Sequence, residues 1–165
     1  MFREMRRKAQ QLDDNQAETI LQNSTAGVLA VWGDDDYPYA VPLSYAYENN
    51  TIYFHCAMDG HKTDAIKRHP KVSFCVIGQD DVIPQSFTTH FQSVIAFGNA
   101  EILTNGGEIQ HGMDLLFQKY SPEEPTERRQ EEMASSQGRL CVVAIRVAHL
   151  TGKEAVELMR QRKGD

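Results

Sequence analysis

The chain has 165 residues, of which 41% are hydrophobic and 24% are charged, and its net charge is −6. This length and composition predict a single globular domain over residues 1–165, with enough apolar residues to bury a core. The negative charge argues against non-specific nucleic-acid binding, which needs clustered lysine and arginine. No apolar run approaches the length of a membrane span, and the basic N-terminus lacks the apolar stretch of a signal peptide.

The three cysteines, Cys56, Cys75 and Cys141, lie far apart in the sequence and form no CxxC motif. Their odd number and long spacings indicate neither a disulfide framework nor a zinc site. We therefore expect reduced thiols and a cytoplasmic protein. Cys75 and Cys141 each lie in an apolar run and are expected to be buried. The histidines show no metal-ligand spacing, so no metal site is assigned.

The first third of the chain predicts one helix and three strands. The helix covers 13–23, with Asp13 or Asp14 as its cap and an apolar stripe along one side. Turn-forming residues then separate three β-rich segments. These strands are predicted at 26–32, 37–47 and 51–56, and their short connections indicate an antiparallel meander.

The rest of the chain alternates between helical and β-rich patterns. A strand at 72–77 is almost continuously apolar, so it is expected to be buried on both faces. The other predicted segments are a helix at 61–69 stopped by Pro70, a loop at 78–88, a strand at 89–103, a helix at 106–120, a linker or exposed helix at 121–132, a strand at 140–150 and a charged tail from about 153. Antiparallel strands with inserted helices predict a mainly β fold, a closed or partly closed barrel.

The segment Gly60-His61-Lys62-Thr63 has the chemistry of a phosphate site. A strand ends before it, the glycine turns the chain, and a helix begins whose first amides lack intrahelical partners. Lys62 adds a positive charge, Thr63 a hydroxyl and His61 a further donor. Gly60 allows close approach of the backbone.

This tetrapeptide is by itself equally consistent with a simple turn followed by a solvated lysine. It is not a Walker loop, because the first glycine of that motif is absent, and no GxGxxG indicates a Rossmann site.

A second informative segment contains Val41-Pro42-Leu43-Ser44. Proline cannot donate to a strand ladder, so Pro42 predicts an edge strand or a bulge, where backbone groups can face a ligand. His55 shares a strand face with Tyr53, and it either lines a pocket or is an ordinary surface histidine.

In order and spacing, six segments resemble the nitroimidazole-resistance (Nim) branch of the pyridoxamine-5′-phosphate-oxidase-like flavoproteins. They are 27–30 (GVLA), 37–45 (YPYAVPLSY), 52–55 (IYFH), 60–66 (GHKTDAI), 70–77 (PKVSFCVI) and 93–98 (SVIAFG). The resemblance covers residues 1–104, and 146–155 more loosely.

The resemblance implies a split β-barrel homodimer with two FMN sites at the subunit interface. Family members are proposed to reduce the nitro group of nitroimidazoles to an amine, and His61 matches a histidine associated with that active site. The implied flavin contacts come from the backbone around Val41, Pro42, Leu43 and Ser44, from His55, His61, Lys62 and Thr63, and from Gln92 and Ser93 of the second subunit.

Two hypotheses of function follow. The first is an FMN-dependent oxidoreductase that acts on nitro groups or related small electrophiles, with His61 as the catalytic residue. The second is a non-catalytic carrier or sensor that binds flavin or haem on the same fold.

Overall fold

The computed structural model describes residues 1–164 as one eight-stranded antiparallel sheet with five α-helices around it. The strands are β1 (Gln11–Leu12), β2 (Ala26–Trp32), β3 (Pro38–Ser44), β4 (Ala46–Glu48), β5 (Thr51–Ala57), β6 (Lys71–Ile83), β7 (Thr88–Ile102) and β8 (Leu140–Glu154). The helices are α1 (Asp14–Asn23), α2 (His61–Arg68), α3 (Gly106–Tyr120), α4 (Thr126–Ser136) and α5 (Val156–Lys163).

The strand order explains why the sheet is a split barrel. Its path runs β3-β2-β6-β7-β8-β5-β4, with β1 paired to β8. The two ends of this path, β3 and β4, are separated in sequence only by Tyr45. A chain can connect opposite ends of a seven-strand path with one residue only if the sheet curls round on itself. Within residues 1–164 no ladder pairs β3 with β4, so the barrel is split along this line. The predicted mainly β split-barrel fold is confirmed.

The predicted meander is therefore only partly correct. The strand predicted at 37–47 breaks at Tyr45, and its two halves bind different partners. Strand β3 pairs with β2 on one side of the split, and β4 pairs with β5 on the other. At the break, the hydroxyl of Tyr120 accepts the amide of Tyr45 at 2.8 Å, and its one proton lies within hydrogen-bond distance of the Thr25 carbonyl at 2.6 Å and the Tyr45 carbonyl at 2.7 Å. The backbone groups of Tyr45 that would continue a ladder are taken up by α3.

The inside of the barrel is the main core, and the helices close it. Tyr45, Phe54 and Phe74 are fully buried there, and helix α1 inserts Leu21 beside them. Helix α1 begins as predicted, because Asp13 caps it in a reciprocal capping box with Gln16. A second, smaller core lies between α3 and the outer side of the β5–β8 ladder.

The loop predicted at 78–88 is wrong. Strands β6 and β7 continue through this region as a long hairpin, with a register shift beside Gly78. Only Pro84–Ser86 and Phe87 form the turn, and Phe87 has a positive φ of 51°. Polar residues are compatible with strand here because the hairpin tip carries exposed side chains on both faces.

The last third of the chain is more regular than predicted. The charged tail from about 153 is the end of β8 followed by α5. Helix α4 is the exposed helix proposed for 121–132, and it ends four residues later, at Ser136. Among residues 1–164, no helix combines the length and apolar composition that a membrane span requires.

The strand at 72–77 was predicted to be buried on both faces, and in the single chain this is wrong. Its inward residues Val72, Phe74 and Val76 are buried, but Cys75 is half-buried and Ile77 is 61% exposed. The N-terminal Phe2 packs on Phe97 and His149 of the outer face, but the chain leaves the apolar part of this face around Ile77 uncovered. Cys75, expected to be buried, belongs to this face, whereas Cys141 lies in the main core as expected.

Candidate functional site

The start of α2 is an open, uncapped helix N-terminus. Gly60 precedes it with a φ of 142°, a conformation that favours glycine, and no side chain caps the helix. The first intrahelical bond is donated by Asp64 to the Gly60 carbonyl, so the three preceding amides have no helical acceptor. A Cβ atom at Gly60 would meet nothing within 4 Å, so the space beside this residue is open. The geometry fits a phosphate group.

Lys62 is the positive charge closest in sequence to this opening. Its side chain is half-buried, and no carboxylate among residues 1–164 lies within salt-bridge distance of it. Thr63 differs from the sequence-based expectation. It is 1% exposed, and its hydroxyl donates to the Gly60 carbonyl at 2.8 Å, so its single proton already has an acceptor. Thr63 therefore fixes the turn at Gly60.

His61 points away from Lys62, towards the turn between β2 and β3. Its ring stacks on Tyr39, with centroids 4.1 Å apart and planes 20° apart. The amide of Asp34 donates to His61 Nε2 at 3.3 Å. Because Nε2 accepts this hydrogen bond, the neutral ring carries its proton on Nδ1.

Asp34 is a site residue that the sequence analysis did not identify. The acidic run at 34–36 looks like a solvated turn, but Asp34 accepts a 2.6 Å hydrogen bond from Arg68 at the end of α2. Gly33 lies so close to the ring that a Cβ there would be 3.1 Å from His61 Nε2. The β2–β3 turn and α2 are thus held together by these contacts. Asp34 and Arg68 are 34 residues apart, so no local sequence pattern indicates their pairing.

His55 lies near Lys62, two residues before the end of β5. Partial burial lowers the pKa of His55, and the nearby positive charge of Lys62 lowers it further, while Glu132 of α4 acts in the opposite direction. His55, Lys62 and α4 are therefore neighbours. No local pattern connects α4 with this region, and the sequence analysis assigned it no role.

Of the two predicted alternatives for Pro42, an edge strand or a bulge, the structure shows the edge strand, because β3 is the first strand of the sheet path. The ladder between β2 and β3 pairs Pro42 with Val28. At the end of the same ladder, the Gly33 amide donates to the Tyr37 carbonyl at 2.9 Å. Because hydrogen-bonded and non-bonded pairs alternate, Pro42 occupies a non-bonded position, where its missing N–H costs nothing.

This alternation sorts the predicted flavin contacts of β3 into two groups. The backbone groups of Val41 and Leu43 face β2, and their side chains pack against the main core. The backbone groups that face the free edge are the amides of Ala40 and Ser44 and the carbonyls of Ala40, Pro42 and Ser44. The edge can therefore offer two donors and several acceptors to a ligand, and Ala40 is an addition to the predicted set.

Gln92 and Ser93 lie far from α2 within one chain. Strands β2 and β6 separate β7 from the edge strand. Gln92 lines a groove of about 520 Å³ beside Ala26, at the start of β2, whereas His61 lies at Gly33, beyond the end of β2. Seven strand residues span roughly 20 Å. One chain does not bring these residues together with Lys62.

Helix α3, to which the sequence analysis assigned no role, holds the end of β3. The Tyr120 hydroxyl binds the backbone of Tyr45, next to Ser44. The Lys119 ammonium donates to the Ser24 carbonyl at 2.6 Å and lies 4.2 Å from the centre of the Tyr45 ring, and burial lowers the pKa of Lys119 to about 8. These contacts fix the corner at which the edge strand ends.

The sequence profile of the pyridoxamine 5′-phosphate oxidase family matches residues 13–154. The chain belongs to this family. Pyridoxamine 5′-phosphate oxidase-like proteins bind flavins, and the open N-terminus of α2 is compatible with such a cofactor. A search of curated proteins finds no significant match.

Several solved structures share the fold. A candidate 5-nitroimidazole antibiotic resistance protein from Bacteroides thetaiotaomicron is 21% identical, with a TM-score of 0.74 over 87% of this chain and 86% of that one. A FAD-binding protein from Mesorhizobium loti is 21% identical, with a TM-score of 0.62 over 88% and 96% of the two chains. A FAD and heme binding protein from Mycobacterium smegmatis is 13% identical, with a TM-score of 0.70 over 88% and 73%.

The electrostatic neighbourhood of Lys62 can be tested without any ligand. Replacement Lys62→Met should raise the pKa of His55, because it removes a positive charge that disfavours the imidazolium. Glu132→Gln should lower the same pKa, because it removes the charge that favours the imidazolium. An NMR titration of the histidine rings measures both changes, and His55→Gln assigns the resonance.

The matched control is Lys67→Met, which removes an exposed lysine of the same helix that pairs with Asp64 at 3.7 Å. It should leave the His55 titration unchanged. If Lys62→Met and Lys67→Met give the same curve, Lys62 does not lie beside His55.

Proposed function

We propose that this protein binds FMN, with the flavin phosphate at the start of α2, and that it is an oxidoreductase reducing nitro groups or related small electrophiles. The observation that carries the proposal is the open, uncapped N-terminus of α2 with Lys62 beside it, in a chain of a flavin-binding family. The fold shared with a candidate 5-nitroimidazole antibiotic resistance protein supports the substrate class.

The residues around α2 would divide the work of binding. The free amides of His61, Lys62 and Thr63 would donate to phosphate oxygens, and the Lys62 ammonium would offset their charge. Thr63 would hold Gly60 in its turn through the hydroxyl bond already present. Because no carboxylate of the described chain pairs with Lys62, a phosphate would not have to displace an internal partner.

The edge strand and His61 would act on the redox chemistry. Bound FMN would supply electron transfer, and the donors and acceptors along the free edge of β3 would orient the flavin and bias its electron affinity. His61 would donate the Nδ1 proton to the substrate, because its Nε2 is occupied by the Asp34 amide. Tyr39 and Asp34 would keep the ring in place.

The active form would be a homodimer with the flavin at the subunit interface. The outer face of the sheet exposes Trp32, Ile77 and Ile95, an apolar surface of the kind that subunits cover. Gln92 and Ser93 would reach the flavin from the second subunit, since one chain separates them from Lys62. The three free cysteines support a reducing, cytoplasmic environment.

A second candidate is a non-catalytic carrier or sensor that holds flavin or haem. The observation in its favour is the fold shared with a FAD and heme binding protein. An absorbance spectrum of the purified protein separates the cases, because bound flavin gives a yellow protein and haem gives a Soret band. A colourless protein that takes up no FMN would contradict both flavin proposals.

Lys62→Ala should weaken FMN binding by about 1.5–3 kcal/mol, the usual cost of losing a charged hydrogen bond. This corresponds to roughly 10- to 150-fold in Kd, measured by fluorescence titration of the apoprotein with FMN. Lys67→Ala removes an exposed lysine from the same helix and should change Kd less than twofold. Equal Kd values for the two variants would contradict binding of the flavin phosphate at α2.

Chemically reduced, FMN-loaded protein should be reoxidised by a nitroimidazole under anaerobic conditions. His61→Ala should slow this step on the order of 100-fold, the usual contribution of a proton donor, while Kd for FMN changes less than threefold. His69→Ala, at the other end of α2, serves as the matched control for both measurements. If the drug does not reoxidise the wild-type flavin, nitro reduction is rejected.

Ile77→Arg should convert the dimer to a monomer, because it places an unpaired charge in the covered apolar face. Ile77 is exposed in the single chain, so the substitution leaves the barrel core intact. Light scattering of FMN-loaded protein measures the change, with Glu127→Arg on the exposed side of α4 as the control. If light scattering shows that the wild-type protein is a monomer, the proposed homodimer is contradicted.

A further inference from the structure

Cys56 and Cys141 lie directly opposite each other on neighbouring strands. The β5–β8 ladder pairs them in register, although they are 85 residues apart in sequence, and their Sγ atoms are 3.8 Å apart. Two residues further along the ladder, the Met58 amide donates to the Arg139 carbonyl. In an antiparallel ladder, backbone-bonded and non-bonded residue pairs alternate, so Cys56 and Cys141 form a pair whose backbones are hydrogen-bonded to each other. The Cα atoms of such a pair lie about 5.5 Å apart. This separation is within the range that a disulfide spans.

The two thiols differ in their surroundings. Both belong to the main core, and burial raises the pKa of Cys56 to about 12, so that it is an uncharged thiol at neutral pH. Cys141 is also among the residues that line an open cavity of about 540 Å³ between α3, α4 and the start of β8. Cys141 keeps a small exposed fraction of 8%, so a small neutral oxidant has a short path to it.

Cys75 provides an internal comparison. It is half-buried on the outer face of β6, and its cross-strand neighbours are Val28 and Ile95. No cysteine is opposite Cys75 in either ladder. The register of the sheet therefore selects one pair out of the three cysteines.

We infer that Cys56 and Cys141 are a redox-active dithiol that hydrogen peroxide converts to an intramolecular disulfide. Cys141 first reacts with the peroxide to give a sulfenic acid and one water. The Cys56 sulfur then attacks the sulfenic sulfur, an S–S bond forms, and the hydroxyl leaves as a second water with the Cys56 proton. In total two thiols lose two electrons and one peroxide is reduced to two waters.

The dithiol is close to the proposed phosphate site at the start of α2. Residues 57–59 alone connect Cys56 with Gly60, the Cys141 thiol lies 3.7 Å from the Ala57 carbonyl, and the charge of Lys62 reaches the Cys56 sulfur. Formation of the bond brings the sulfurs from 3.8 Å to about 2.05 Å and constrains the side chains at the end of β5, the strand that leads into α2. This second part, which rests on the proposed function, is that oxidation weakens flavin binding.

The test of the dithiol uses the complete chain without added flavin. Protein is treated with hydrogen peroxide, remaining thiols are alkylated, and the disulfide is mapped by mass spectrometry. The number of free thiols should fall from three to one, a peptide containing Cys56 should be joined to one containing Cys141, and dithiothreitol should restore all three. Cys75→Ser should give the same linked peptides.

Three outcomes would overturn the proposed dithiol. Three free thiols after a treatment that fully oxidises glutathione would mean that the pair is inert. Disulfides that involve Cys75, or sulfinic acids without any disulfide, would mean that the register does not direct the reaction.

The link to the flavin site has its own measurement. The Kd for FMN of the oxidised protein should exceed that of the reduced protein at least threefold and return after dithiothreitol. Equal values would overturn the link and leave the dithiol intact. A protein that binds no FMN in either state contradicts the proposed function and with it the link, whereas the mapped disulfide stands independently.

Discussion

Closure of the barrel at Tyr45 is the constraint on which the rest of the structure depends. This single residue connects the two ends of the sheet path, and its side chain is fully buried against Phe74, with ring centroids 4.9 Å apart. Its hydroxyl donates to the Leu21 carbonyl of α1, and Tyr120 of α3 binds its backbone. The corner thus fixes two helices and both sides of the split. Burial of the ring holds the pKa of Tyr45 above its usual value, so the hydroxyl remains a donor.

This closure determines which backbone groups stay free. Because β3 and β4 meet only through the corner, β3 keeps one unpaired edge, and Pro42 sits at a position whose amide would have faced that edge. Exposed edges are normally a liability for association with other chains. Here Pro42 limits such pairing, because it has no N–H to donate from the free edge.

In the candidate site, helix α2 directs the side chains of His61 and Lys62 to different places. Lys62 and His61 are adjacent in sequence, yet the helix directs Lys62 towards His55 and His61 towards Asp34. Consecutive residues of a helix point about 100° apart, so neighbours cannot serve the same spot. A phosphate site and a proton donor can therefore lie next to each other without the lysine occupying the histidine's place.

The sequence by itself determined the local elements, because caps, turns and alternation are short-range signals. Asp13 or Asp14 marked the start of α1, Pro42 marked an edge strand or a bulge, and Gly60 marked the start of α2. The order of these segments was sufficient for the family. Polar residues in the hairpin tip misled the prediction at 78–88, since strand pairing beyond the barrel does not need an apolar face.

Only the tertiary structure decided what depends on pairing between distant segments. It joined Asp34 to Arg68, placed α4 beside His55 and set Cys56 opposite Cys141. It also showed that the hydroxyl of Thr63 donates to the Gly60 carbonyl and that Ile77 on the outer face of β6 is exposed. Each of these results follows from strand register and barrel closure, and register is a relation between segments that no single stretch of sequence contains.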